Sequence, residues 1–249
     1  MAGHSKWANI KHRKGAQDKK RAKIFTKIIK EITVASKEAG PDSETNPRLR
    51  LAIQNAKGAN MPKDTIERAI SKGQGGEGNS FQEVTYEGYA ASGIAVFVEC
   101  TTDNINRTVA SVRSIFTKHG GNLGTNGSLE FVFDRKGVFA ISKESINQDL
   151  ENLEIELIDS GLEEMIIEED MCLVYTSFEG FGSTQNKLEE LNIKIKNAEV
   201  QRIANNTKKL EIEIAKKVLT LIEKLEDDDD VQNVYHNLEL SDELINLLK

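Results

Sequence analysis

Between Lys6 and Lys30 the chain carries ten lysines and arginines (Lys6, Lys11, Arg13, Lys14, Lys19, Lys20, Arg21, Lys23, Lys27 and Lys30) against one acid, Asp18. Cations at that density neutralise phosphates and release the counterions condensed around a polyanion. This chemistry needs neither a cleft nor a nucleophile. Trp7, the only tryptophan, lies among them, as does His12, and an aromatic ring next to cations can stack on an exposed base. Most charge runs are only solvated helix faces, so the rest of the chain has to decide. Residues 1–75 hold 17 Lys and Arg against 7 Asp and Glu, a balance of +10; residues 76–249 hold 16 against 33, a balance of −17. The net charge of −7 hides this separation. A polyanion is drawn to one end of such a molecule and repelled by the other. The candidate nucleic-acid contacts are therefore Lys6, Trp7, Lys11, His12, Arg13, Lys14, Lys19, Lys20, Lys23, Lys27 and Lys30.

Other chemistry-bearing segments are weaker. The stretch 119–128, HGGNLGTNGS, could turn backbone N–H groups towards phosphate, but it matches no phosphate-loop or dinucleotide fingerprint. It reads better as a tight turn after a helix. His4, His12, His119 and His236 have no ligand spacing with Cys, Asp or Glu, so no metal is assigned. The acids Asp227 to Asp230 read as a solvated loop. Glu83, Glu87, Glu99 and Asp103 would need neighbouring strands to gather them. No nucleophile with its base is visible. The chain is read as non-enzymatic, with no cofactor and no small-molecule substrate. Cys100 and Cys172 sit in apolar runs as buried thiols of a reducing compartment. No apolar run approaches a membrane span and no secretory signal opens the chain, so it is read as cytoplasmic and without a membrane partner.

The elements that must position the cations follow from periodicity. A helix over residues 17–39 puts Ile24, Ile28, Ile32 and Ala35 on one face and the lysines on another. Gly40-Pro41 ends it. Asn46-Pro47 opens a second helix, and a third runs from about Pro62 to Gly73. These make a small bundle, and residues 1–16 form a tail. Residues 73–80, GQGGEGNS, read as a linker. Strands follow at 83–89, 93–102 and 129–133, with a helix at 106–118. Residues 136–203 then run strand, helix, strand, strand, helix, strand, the order of a ferredoxin-like unit. A helix at 210–225 and a strand at 231–237 are left to complete the unit begun at 81. The expected fold class is α+β: an N-terminal three-helix bundle followed by two ferredoxin-like α/β domains, one inserted into the other. The expected boundaries are 1–78, 79–135 with 204–249, and 136–203.

The opening AGHSKWANIKHRKGAQDKKRAKIF closely resembles the start of the YebC/PmpR family, which includes the mitochondrial translational activator of cytochrome c oxidase. The segments NMPKDTIERAISKGQGG (60–76), YEGYAASGIAVFVECTTDNINRT (86–108), HGGNLGTNGS (119–128) and YHNLEL (235–240) match as well. Leu129 stands where that family favours Val. The resemblance implies three domains with the middle one discontinuous, and a bacterial-type cytosolic protein with no catalytic set. It implies a DNA-binding transcriptional regulator or, as the alternative, a ribosome-associated factor that binds ribosomal or transfer RNA and relieves stalling at proline-rich stretches. Residue types alone leave DNA and RNA both open.

Overall fold

The computed structural model describes residues 17–75, 81–168, 170–241 and 243–244, with side chains from residue 21 onward. The chain is α+β and divides into two compact units. One holds the described parts of residues 1–30, 75–134 and 203–249; the other holds residues 31–74 and 135–202.

In the first unit, strands β1 (Gln82–Tyr89) and β2 (Ala95–Thr102) form an antiparallel hairpin. Helix α4 (Ile105–Lys118) follows, then β3 (Asn122–Leu123), and after a long excursion helix α7 (Ile212–Glu226) and strand β8 (Val231–His236). The sheet order is β3-β1-β2-β8. Alternation along the strands gives it two different faces. Tyr86, Val96, Val98, Cys100 and Val234 pack under Val112 and Phe116 of α4 and Leu219, Ile222 and Leu225 of α7. Fully burying a Leu, Ile or Phe is worth about 1.5–3 kcal/mol, so this layer dominates the stability of the unit. The opposite face carries Ala95, Phe97 and Tyr235, covered by Leu129 and Phe133.

Of the strand expected at 129–133, only Phe133 is extended, as the first residue of a longer strand, and the segment 129–132 is not a strand. It runs as successive turns, with Ser128 N–H bonded to Thr125 O, Glu130 N–H to Gly127 O and Val132 N–H to Leu129 O. Its apolar alternation mimics a strand, but Glu87 captures the Gly127 and Leu129 amides and curls the chain. The third strand lies earlier instead, at β3, paired with Gly88 and Tyr89.

In the second unit, β4 (Phe133–Ser142), α5 (Leu150–Ile158), β5 (Leu162–Ile167), β6 (Met171–Ser177), α6 (Phe181–Glu190) and β7 (Ile195–Ala204) give the sheet order β5-β6-β4-β7. This is the split arrangement of a ferredoxin-like unit. Phe139, Ile141, Cys172 and Val174 meet Leu153, Leu157 and Leu188 in its core. Helix α1 (Gln17–Ala39) contributes its part from Glu31 onward, with α2 (Pro47–Gly58) and α3 (Lys63–Gln74). Asn46 ties α1 to α2: its Oδ1 accepts from Leu49 N–H as an N-cap, and its Nδ2 donates to Ala35 O and Gly40 O. Ser36 and Thr33 donate to Ile70 O and Ala69 O of α3.

Helix α2 lies along the edge strand β7. The Asn55 side chain pairs with both backbone groups of Ala198, donating to its carbonyl at 2.7 Å and accepting from its N–H at 2.9 Å. An edge strand otherwise exposes such groups to other chains. Gly58 lets the helix come this close, because a Cβ there would overlap the Lys196 carbonyl.

Candidate nucleic-acid interface

Lys23, Lys27 and Lys30 sit at i, i+4 and i+7 of α1 and so form one stripe. The stripe meets the turn that follows α7. Lys23 Nζ donates to Asp227 Oδ1 at 2.5 Å. Lys27 Nζ donates to Gln232 O at 2.7 Å. Lys30 Nζ is buried and donates to Asp229 O at 2.6 Å, Thr101 O at 3.0 Å and Asp230 Oδ1 at 3.1 Å. Lys30 also lies 5.6 Å from the centre of the Phe81 ring.

Asp230 is the hub. Its Oδ2 accepts from Arg107 Nη2 at 2.7 Å and Nε at 3.2 Å, with the Thr108 and Thr102 hydroxyls at 2.9 and 3.2 Å. Arg107 also reaches Asp103 at 2.8 Å. Burial alone would raise the Asp230 pKa; the bonds from Arg107, Thr108 and Lys30 outweigh it and hold the carboxyl below its usual value. The acid run read as a solvated loop is thus solvated at one end only. Asp227 and Asp229 are exposed, Asp228 accepts from Ser111 Oγ, and Asp230 is inside.

Of the other sequence candidates, Lys6, Trp7, Lys11, His12, Arg13 and Lys14 lie outside the described residues, and Lys19 and Lys20 lie on α1 before the described side chains. Arg21 stacks 5.2 Å over the Phe25 ring. The Gly-rich turn after α4 is filled by the protein itself. The buried Glu87 carboxylate accepts from Gly127 N–H at 2.8 Å, Leu129 N–H at 2.6 Å and Ser128 Oγ at 3.2 Å. The amides suited to a phosphate already hold an internal anion.

Glu87 and Glu99 share a sheet face but turn to separate partners, since Glu99 accepts from Asn233 at 3.2 Å and Tyr235 at 3.4 Å. Asp103 is held by Arg107 instead. Among the described residues no group of His, Cys, Asp and Glu is placed to hold a metal ion. Burial pushes the Cys100 thiol up to about 12 and the Cys172 thiol to about 11, so neither is a ready nucleophile. No described helix is long and apolar enough to cross a membrane. Arg107, Thr102 and Thr108 carry no sequence signal of this role, and the sequence marks Asp230 only as part of a solvated acid run and Glu87 only as one of four scattered acids. The one available signal was Asp230 at the strand-side end of its acid run, next to the apolar Val231.

Residues 5–76 match the family description "TACO1/YebC protein N-terminal domain", and residues 81–238 match "TACO1/YebC second and third domain". The chain belongs to the TACO1/YebC family. A relative from Amoebophilus asiaticus is 56% identical over 240 residues, covering 96% of this chain and 98% of its own. One from Nitrosococcus oceani is 50% identical over 247 residues, with 98% of each chain covered. Both carry the name "Probable transcriptional regulatory protein". The crystal structure of a conserved hypothetical protein from Aquifex aeolicus superposes with a TM-score of 0.81 at 44% identity, covering 89% of this chain and 91% of that one.

Proposed function

We propose that this chain is a non-enzymatic regulator of gene expression in the cytoplasm that binds nucleic acid through its basic amino-terminal segment, with duplex DNA as the target. The carrying observation is the charge separation, +10 over residues 1–75 and −17 over residues 76–249. The names of the relatives support transcription as the process. The contact surface comprises Lys6, Trp7, Lys11, His12, Arg13, Lys14, Lys19 and Lys20, with Lys23 and Lys27 at its inner margin. Lys30 serves as the anchor of the helix and not as a phosphate contact.

One observation favours a second reading, a ribosome-associated translation factor. The run is mostly lysine, a point charge suited to phosphate, with little Arg, Asn or Gln on the helix to read base edges in one groove. Such a surface suits irregular RNA as well as a duplex. Sedimentation of the full-length protein with ribosomes from a lysate, beside a mobility shift on duplex DNA of varied sequence, separates the two. A sequence-dependent shift without sedimentation supports the DNA target. Sedimentation that disappears when residues 1–16 are removed replaces it with the ribosome.

A further inference from the structure

This inference rests on the reading above, that the basic run binds a polyanion. The last cations of the run already face anions, and they face them in two different ways. The Lys30–Asp230 pair has both side chains only 10% exposed, whereas in the Lys23–Asp227 pair they are 44% and 55% exposed. Opening the buried pair would strand a charge. The exposed pair is weak, screened by salt and exchangeable. A backbone phosphate offers Lys23 the same charge and the same kind of acceptor as a carboxylate. The displaced Asp227 would not be stranded, because Lys224 Nζ lies 3.9 Å from its other oxygen.

We propose that Asp227 is an intramolecular competitor of the nucleic-acid backbone: it occupies Lys23 in the free protein and yields that lysine to a phosphate in the complex. The Lys30–Asp230 pair keeps α1 seated on the same turn throughout. The displaced carboxylate still opposes the incoming phosphate, so the contact lowers affinity without blocking it.

The test is a double-mutant cycle read as the Kd for a fluorescein-labelled random-sequence duplex and a single-stranded RNA, over a salt series. The proteins are wild type, Asp227→Asn, Lys23→Met and the double variant, with circular dichroism confirming the fold and Asp227→Ser as a second replacement. Asp227→Asn should tighten binding about two- to fivefold at low salt and steepen the salt slope by about one phosphate contact. In the Lys23→Met background that gain should shrink, leaving only the long-range effect of one fewer negative charge. Equal gains in both backgrounds, or no gain in either, overturn the competitor. Failure of the wild type to bind either probe overturns the functional reading with it.

Discussion

Asp230→Ala should be among the most damaging single changes in the first unit. It removes the carboxylate that faces Lys30 at 3.1 Å and Arg107 at 2.7 Å, with two threonine hydroxyls within bonding distance. Arg107 is half-exposed and can turn to water and Asp103, so its loss counts little. Lys30 has no such escape, because its ammonium lies among backbone carbonyls inside the unit. Leaving one partner of a buried pair behind costs about 3–5 kcal/mol, a large part of a typical stability. Lys30→Met should cost less, about 1–3 kcal/mol, since Asp230 keeps Arg107 and both hydroxyls. Urea unfolding followed by circular dichroism gives both values. The carboxyl is held below its usual value, so its contribution is complete above the ordinary carboxylate range and is lost as pH falls through the lowered folded value. The gap between wild type and Asp230→Asn should therefore close in acid. An Asp230→Ala loss under about 1 kcal/mol, or one smaller than that of Lys30→Met, would refute the hub.

His236 is buried, and burial pulls its pKa down to about 4 from 6.5. Its folded form stays neutral while the unfolded form charges, so stability is full above pH 6.5 and declines towards pH 4 by up to about 3 kcal/mol; a stability–pH curve unchanged in His236→Gln would show that another group is responsible. Asn55→Leu leaves both backbone groups of Ala198 unpaired on β7, for about 1–3 kcal/mol each, and the Ala198 amide should exchange faster with deuterium. Gly58→Ala should cost about 1–3 kcal/mol by forcing α2 off the strand, and a neutral result in urea unfolding would contradict that packing. Glu87→Ala should expose the Gly127 and Leu129 amides to hydrogen exchange, and unchanged protection there would mean that the turn holds without its carboxylate.

Periodicity made the helices and most strands legible. The Ile32 and Ala35 spacing on α1, the Asn46-Pro47 cap and the apolar run of β2 each rest on local chemistry, and each is where the sequence indicates. The strand at 231–236 also pairs with β2, although more than a hundred residues separate them. Two features were not legible, for the same reason. Leu129 to Phe133 alternates like a strand, yet a carboxylate from β1 bends residues 129–132 into turns before β4 begins. The lysine stripe of α1 reads as a solvent face, yet Lys30 is buried because an acid from the far end of the chain receives it. Both outcomes depend on a charged partner distant in sequence, which no window of local pattern contains. The basic segment itself was legible as charge, because charge separation depends only on composition.

The most direct test of the central claim is the salt dependence of nucleic-acid binding by the full chain, compared with a variant in which Lys6, Lys11, Arg13, Lys14, Lys19 and Lys20 are replaced by Gln. The wild type should bind with a slope of log K against log salt of about −4 to −6, and the variant should lose most of both affinity and slope. A variant that binds as tightly and with the same slope would place the contact surface elsewhere on the molecule and contradict the account.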